Sequence, residues 1–198
     1  AANAWTPAQF MTHIQKPVYE AIKEAQPNAV VASGAFVFNG VDGSSGNPLP
    51  PRTWGSTSEP WYFHPHFLRG MYESLSDAGR YFDVVNTHPY FYPPEASTFT
   101  SPVTQTYGPY GGRSTVDVMN AFADSGKSIW WTEFGETIGQ HGATPSSVAS
   151  HLSQFYSDAF LKRTDSHPLT RAAWYMLRDG ANSGTQFGLM SADGTPRP

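Results

Sequence analysis

Short apolar runs alternate with amphipathic segments along this chain, and the long loops follow the apolar runs. The expected strands lie at 29–33, 81–87, 128–132 and 171–177. The expected helices lie at 7–26, 64–78, 114–125 and 144–164. The order α-β-α-β-α-β-α-β predicts an α/β fold with a parallel sheet. Long loops after strands and short turns after helices are typical of a (β/α) barrel, where the loops after strands carry function.

Local signals predict where several of these helices begin and bend. Thr6-Pro7 and Thr144-Pro145 each place an N-cap hydroxyl before a proline at the first helical position. Pro17 lies inside the first helix and is expected to bend it. Apolar residues at helical spacing mark the apolar face of that helix: Phe10, Ile14, Val18 and Ile22.

Composition excludes several classes of protein. The 198 residues predict one domain with a sizeable core, and the net charge of −4 without a basic run argues against nucleic acid or an anionic membrane as a partner. The absence of cysteine excludes disulfides and cysteine-based metal sites. No apolar run approaches membrane-spanning length, and we expect no signal peptide. His64 and His66 resemble a metal pair only superficially, so we predict no metal and no cofactor.

The segment KSIWWTEFGET, 127–137, carries the main candidate for chemistry. A buried strand at 128–132 runs into Glu133, and the backbone must turn at Gly135. In a (β/α) barrel, an acid at the carboxyl end of a strand is where catalytic groups lie. The alternative is a capping or salt-bridged glutamate at the start of a loop.

Aromatic residues are unusually frequent, at 15% of the chain. Stacking on sugar rings is one use for them, and packing in the core is the other. The loop at 34–61 is long, rich in Gly, Pro and Ser, and contains aromatic side chains. A loop of this length inside a compact domain is usually functional or disordered, and its aromatics favour an ordered loop that faces a substrate.

Four motifs in the order HPY, WWTEFGET, RAAWYML and FGLMSADGTPRP resemble the second half of clan A glycoside hydrolases, nearest to families thirty-nine and five. The stretch VYEAIKEAQPNAVVASG is similar to their segment between strands four and five. The resemblance implies a retaining glycosidase on a TIM barrel, with this chain covering strands five to eight. Residues 1–198 would then be a single domain without strands one to four and without the last helix.

The resemblance also implies roles for individual residues. Glu133 matches the nucleophile, His88 and Tyr90 match a pair that lines the sugar subsite next to it, and Trp174 matches an aromatic platform under that sugar. An imidazole or hydroxyl donor beside Glu133 is expected to hold its charge and rotamer. Candidate aromatics of outer subsites are Trp54, Trp61, Phe91 and Tyr92. Structural alternatives remain open: His88 as a strand end, Tyr90 as loop packing and Trp174 as a core residue.

One essential group is missing from the match. The acid/base Glu of these families follows an Asn at the tip of strand four, before this chain begins. The loop acids Glu59, Glu136 and Asp179 match nothing in that role, and Arg178 with Asp179 is either a substrate contact or a solvated pair. We therefore expect this chain alone to be inactive. Its expected partners are a carbohydrate substrate and either the missing N-terminal half-barrel or a second copy of the chain.

Two other functions remain open. A half-barrel that keeps its aromatics also suits a non-catalytic carbohydrate-binding or assembly protein. A weaker option is another barrel enzyme whose single carboxylate is a general base. The resemblance alone suggests a secreted or cell-envelope protein.

Overall fold

The computed structural model describes residues 5–37, 64–89, 115–139, 142–157, 168–181 and 186–197. Within them lies a parallel sheet with the order β1-β2-β3-β4. Its strands are β1 Phe36–Val37, β2 Val84–His88, β3 Ser128–Phe134 and β4 Leu169–Trp174. Neighbours in sequence are neighbours in the sheet, as expected when helices connect parallel strands. The α/β prediction is confirmed.

The helices precede and connect the strands. They are α1 Pro7–Phe10, a π-helical turn Met11–Gln15, α2 Lys16–Ala25, α3 His64–Ser74, a 3₁₀ turn Ala78–Tyr81, α4 Thr115–Ala121 and α5 Pro145–Tyr156. Thr6 and Thr144 form the predicted N-caps, each within a reciprocal capping box. None of these helices, in the part of the chain that the structure describes, is long and apolar enough to cross a membrane.

The first helix differs from its prediction in which face it buries. Met11 and Gln15 are buried, whereas Ile14 and Val18 are 40% and 47% exposed. A π-helical turn ends at Gln15, two residues before Pro17, and its wider winding changes which residues face the sheet. Gln15 is thereby brought to the backbone around β2, where its Nε2 donates to the carbonyl of Tyr81 over 2.7 Å.

Strand boundaries also shift. Of the predicted strand at 29–33, only Ala32 forms a bridge, to Val84, and regular pairing in this segment occurs at β1 instead. In contrast, β3 continues two residues beyond its prediction, to Phe134, and therefore includes Glu133. Continued pairing with β4, where Phe134 lies opposite Trp174, explains the extension.

The hydrophobic core lies between the helices and one face of the sheet. The sheet contributes Val85, Ile129, Trp131, Phe134 and Leu169, and the helices contribute Met11, Leu68, Met71, Met119 and Phe155. On the other face, Thr132, Thr170 and Arg171 are exposed, and the Arg171 guanidinium lies 4.4 Å from the ring centre of Trp130. A register shift between Ile129 and Trp130 interrupts the pairing with β4, and the consecutive residues Thr170 and Arg171 both contact Trp130.

Candidate functional site

A chain of polar side chains joins β2 to β3 at their carboxyl ends. Asn86 and His88 are two residues apart on β2 and therefore share a face of the sheet. The Oγ1 of Thr132 on β3 lies 2.9 Å from the Oδ1 of Asn86 and 2.9 Å from the Nε2 of His88. At the buried end, the Ser33 hydroxyl accepts the Asn86 backbone N–H over 2.9 Å. The side chains of Asn86, Thr132 and His88 are thus directly connected, and Ser33 holds the backbone of Asn86.

Glu133 follows Thr132 and meets the far side of the same imidazole. Its Oε2 lies 3.8 Å from His88 Nδ1, too far for a direct hydrogen bond. The His88 side chain is 15% exposed and the Glu133 side chain is 31% exposed. Burial lowers the pKa of His88 below its ordinary value, and the nearby Glu133 carboxylate opposes this only in part. We call His88 and Glu133 the strand-tip pair.

A second histidine–carboxylate pair lies three residues further along the same segment. Glu136 is 4% exposed, and its Oε2 lies 2.6 Å from the Nδ1 of His151 on α5. The contact ties the loop after β3 to the helix that follows it. We call Glu136 and His151 the buried pair, and its hydrogen bond gives Glu136 a structural role.

Trp174, the last residue of β4, is partly buried and belongs to the aromatic packing around β3. Its ring meets Phe134 edge to face at 5.3 Å, and its Nε1 donates to the carbonyl of Phe187 over 3.1 Å. Close by, a Cβ at Gly135 would lie 2.5 Å from the carbonyl oxygen of Tyr175. Glycine is therefore required after Phe134 for the backbones to approach.

Asp179 and Arg178 do not form the solvated pair that the sequence left open. Asp179 is 7% exposed, accepts the backbone N–H of Gly188 over 2.7 Å and pairs with Arg197 at 2.7 Å. Arg178 instead donates to the carbonyl of Ala192. The Gly-rich C-terminal segment folds back onto the end of β4, which buries the carboxylate and supplies its cation.

The structure therefore brings together some of the predicted site residues. Glu133 and His88 lie side by side, and Trp174 lies on the strand next to Glu133. Other predicted site residues lie outside the described residues: Tyr90, Trp54, Trp61, Phe91, Tyr92 and Glu59. Among the described residues, no three His, Asp or Glu side chains form a cluster that would hold a metal ion.

Asn86 and Thr132 are the members of the site that sequence reasoning missed. A signal was present, because Asn86 precedes His88 by two positions in a strand and Thr132 directly precedes Glu133. Their contact, however, depends on the register of β2 against β3, in which Asn86 lies opposite Trp130. A buried asparagine in an apolar strand needs hydrogen-bond partners, and this requirement is the signal that could have identified Asn86.

The fold and the site define a class: an α/β protein with a polar side-chain network at the carboxyl ends of its parallel strands, the usual place for an active site. A family profile described as glycosyl hydrolase catalytic core matches residues 56–198. The chain belongs to this family, which confirms the kinship with glycoside hydrolases that the motifs indicated.

Solved structures agree at the level of the fold. A family 39 glycoside hydrolase from Bacteroides cellulosilyticus WH2 is 17% identical, with a TM-score of 0.54, and the match covers 97% of this chain and 36% of that one. A β-glucuronidase of Bacteroides uniformis is 11% identical, with a TM-score of 0.51, over 96% of this chain and 19% of that one.

CJP38, a β-1,3-glucanase and allergen of Cryptomeria japonica pollen, is 17% identical, with a TM-score of 0.53, over 93% of this chain and 63% of that one. The chain thus spans less than two thirds of each of these structures. Curated protein sequences give no match.

Proposed function

We propose that this chain is the C-terminal half of the catalytic barrel of a retaining glycoside hydrolase, with Glu133 as its nucleophile. The observation that carries the proposal is the position of Glu133 at the carboxyl end of β3, next to His88 of β2, within the segment that matches the family. The ionised carboxylate attacks the anomeric carbon of a polysaccharide or glycoside while the bond from that carbon to the leaving-group oxygen breaks, and water then hydrolyses the covalent glycosyl-enzyme.

The second carboxyl group that a retaining mechanism requires lies, in this proposal, outside the chain. It must come within about 5 Å of the nucleophile. Two described acids near this edge of the sheet, Glu136 and Asp179, already pair with His151 and Arg197, and neither arrangement favours an acid/base role. We therefore expect negligible turnover of unactivated substrates by this chain alone, because the leaving group receives no proton.

Exposed apolar surface supports a fold that is completed by further strands. Ile14 and Val18 lie one helical turn apart and remain largely exposed, and β1 and β4 end the described sheet on either side. We propose that the missing N-terminal half-barrel, or a second copy of this chain, covers these surfaces. Secretion or attachment to the cell envelope belongs to the same proposal and is carried by the family resemblance.

In the structure, Trp174 stands beside β3, with its indole N–H occupied by a backbone carbonyl. An indole held in this way keeps a fixed ring plane, which suits contact with the C–H-rich face of a sugar. In the proposal, Trp174 contributes both to the aromatic packing and to the edge of the sugar subsite.

Covalent trapping tests the nucleophile separately from the missing acid. Fluorosugar glycosides that carry a dinitrophenolate group need no proton donor for departure, so the first step depends on the nucleophile. The isolated protein, with any chain that copurifies with it, is treated with gluco-, galacto- and xylo-configured probes. We expect a single glycosyl adduct by intact mass spectrometry, mapped to the peptide that contains Glu133.

Two variants control the trapping experiment. Glu133→Gln is expected to abolish the adduct, whereas Glu24→Gln, at an exposed position of α2, is expected to retain it. An adduct on another residue, or none with any probe, would contradict the proposed nucleophile.

The alternative function is non-catalytic carbohydrate binding, which the engagement of Glu136 and Asp179 by other side chains favours. Titration calorimetry with oligosaccharides discriminates between the two functions. A binding protein would take up oligosaccharides without forming an adduct, and Glu133→Gln would leave its affinity largely unchanged.

A further inference from the structure

The hydrogen bonds around Thr132 determine where the proton of His88 lies. The Thr132 backbone N–H can only donate, and it points to Asn86 Oδ1 over 3.3 Å, which identifies that atom as the amide oxygen. The Thr132 hydroxyl lies 2.9 Å from the same oxygen. An amide oxygen only accepts, so the single proton of the hydroxyl points to Asn86.

It follows that the Thr132 hydroxyl accepts a hydrogen bond on its other side. His88 Nε2 lies 2.9 Å from Thr132 Oγ1 and must therefore carry a proton. Burial lowers the pKa of His88, which favours the neutral ring near neutral pH. A neutral imidazole has one N–H, so Nδ1 then presents a lone pair toward Glu133 Oε2, 3.8 Å away.

We propose that Asn86 and Thr132 are positioning residues that hold His88 as its Nε2–H tautomer, so that His88 Nδ1 and Glu133 present two adjacent acceptors. A hydroxyl that lies beside these two atoms can donate its hydrogen to one of them, and in the proposed enzyme this is a sugar hydroxyl. The inference rests on the proposed function only for that last assignment. It also reverses the sequence-based expectation that the imidazole donates to Glu133.

Asn86 can fix the hydrogen bonds of Thr132 and His88 because it is buried. Asn86 is 7% exposed and has its backbone N–H bonded to Ser33, which is 3% exposed. Buried groups have few alternative partners, so the amide oxygen cannot rotate away without losing hydrogen bonds. The amide oxygen therefore orients the Thr132 hydroxyl, and the hydroxyl in turn orients the His88 imidazole.

Nuclear magnetic resonance of the isolated protein, with isotope-labelled histidine, tests the tautomer directly. At neutral pH, we expect the His88 nitrogen shifts to report a protonated Nε2 and an unprotonated Nδ1. His88→Asn assigns the signals among the seven histidines. The opposite tautomer, an averaged pair of shifts or a doubly protonated ring would overturn the inference.

A pair of variants at Thr132 tests the cause. Thr132 is exposed, and Thr132→Val keeps its β-branched shape in the strand while it removes the hydroxyl. We expect Thr132→Val to move the His88 shifts toward a tautomer average, Thr132→Ser to preserve the wild-type shifts, and the other six histidines to stay unchanged in both. Unchanged His88 shifts in Thr132→Val would contradict the positioning role.

Activity provides the second readout and separates the two proposals. In a protein that hydrolyses a glycoside, we expect Thr132→Val to lower kcat/KM about tenfold, as for the loss of one hydrogen bond, and Thr132→Ser to restore it. An active protein with a mixed tautomer would overturn the inference and leave the proposed function standing. A fixed tautomer in a protein that forms no glycosyl adduct would overturn the proposed function alone.

Discussion

The glutamates of the two histidine–carboxylate pairs lie three residues apart in the sequence, but the two pairs have opposite surroundings. In the strand-tip pair, Nδ1 of His88 and Oε2 of Glu133 are separated by 3.8 Å, and Glu133 is 31% exposed. In the buried pair, Nδ1 of His151 lies 2.6 Å from Oε2 of Glu136, whose side chain is 5% exposed. The first pair is partly exposed and too far apart for a direct hydrogen bond, whereas the second is buried and in direct contact.

The proton positions of the two pairs differ as well. A separation of 2.6 Å requires a hydrogen between His151 Nδ1 and Glu136, so in the buried pair a hydrogen lies within the pair. His88 directs its N–H away from its carboxylate, toward Thr132. The same two residue types thus form a direct structural contact in one place, and in the other they lie 3.8 Å apart without a direct hydrogen bond between them.

The largest expected effect is on hydrolysis, which we expect to depend on Glu133 of the strand-tip pair. We expect Glu133→Gln to reduce the hydrolysis of an activated dinitrophenyl glycoside by a factor on the order of 10³ or more, because the covalent intermediate no longer forms. The unfolding free energy should change by less than about 0.5 kcal/mol, because the side chain is partly exposed. Initial rates and denaturant titrations measure the two quantities. Hydrolysis within tenfold of wild type would place the chemistry elsewhere.

For the buried pair we expect the opposite result, a loss of stability without a loss of hydrolysis. His151→Leu leaves the buried Glu136 carboxyl group without the imidazole that contacts it, and we expect a loss of about 3 kcal/mol in unfolding free energy. His13→Leu, on the exposed side of the first helix, serves as the matched control. Hydrolysis per folded molecule should remain within about twofold of wild type, since the pair lies outside the proposed site. A stable His151→Leu protein would remove the distinction between the pairs.

Double-mutant cycles sharpen the comparison further. For Glu136→Gln combined with His151→Asn, we expect a coupling energy of about 1–3 kcal/mol, as for groups in direct contact. For Glu133→Gln combined with His88→Asn, we expect about 0.5 kcal/mol or less. Denaturant unfolding of the single and double variants provides both numbers. Equal couplings would mean that the strand-tip pair closes in solution.

The smallest expected effect is a pH dependence from His88. Its folded-state pKa lies below the ordinary value of 6.5, so the unfolded chain binds more protons in the window just below that value. His88 therefore lowers stability as the pH falls through this window and contributes no penalty above it.

Stability measured across that window tests the sign. We expect His88→Asn to lose less unfolding free energy than wild type as the pH falls below 6.5. Because the Glu133 carboxylate raises the pKa of His88, Glu133→Gln should widen the window and steepen the loss. Parallel pH profiles of wild type and His88→Asn would contradict the lowered pKa.

Local patterns predicted much of this fold. The capping boxes at Thr6 and Thr144 depend on residues three positions apart, and the strand around Ile129 depends on a short apolar run. Such signals are contained within one element, so the sequence carries them without help from the rest of the chain. The position of Glu133 at the end of a strand followed in the same way.

Long-range contacts account for what the sequence did not predict. Ile14 and Val18 fit an apolar stripe, yet the buried face of that helix carries Met11 and Gln15, because Gln15 finds its partners at Tyr81 and Gly34. Likewise, nothing beside Glu136 in the sequence indicates that His151 on another element will close on it.

The sequence by itself determined the alternation of helices and strands, the caps and the candidate carboxylate, because each depends on side chains close together along the chain. The tertiary structure alone decided which acid is buried against a histidine and which is partly exposed, and which nitrogen of His88 holds the proton. Burial, strand register and hydrogen-bond direction belong to the packed sheet, where Asn86, Thr132 and His88 meet across two strands. The same residue types therefore acquire different chemistry from their surroundings.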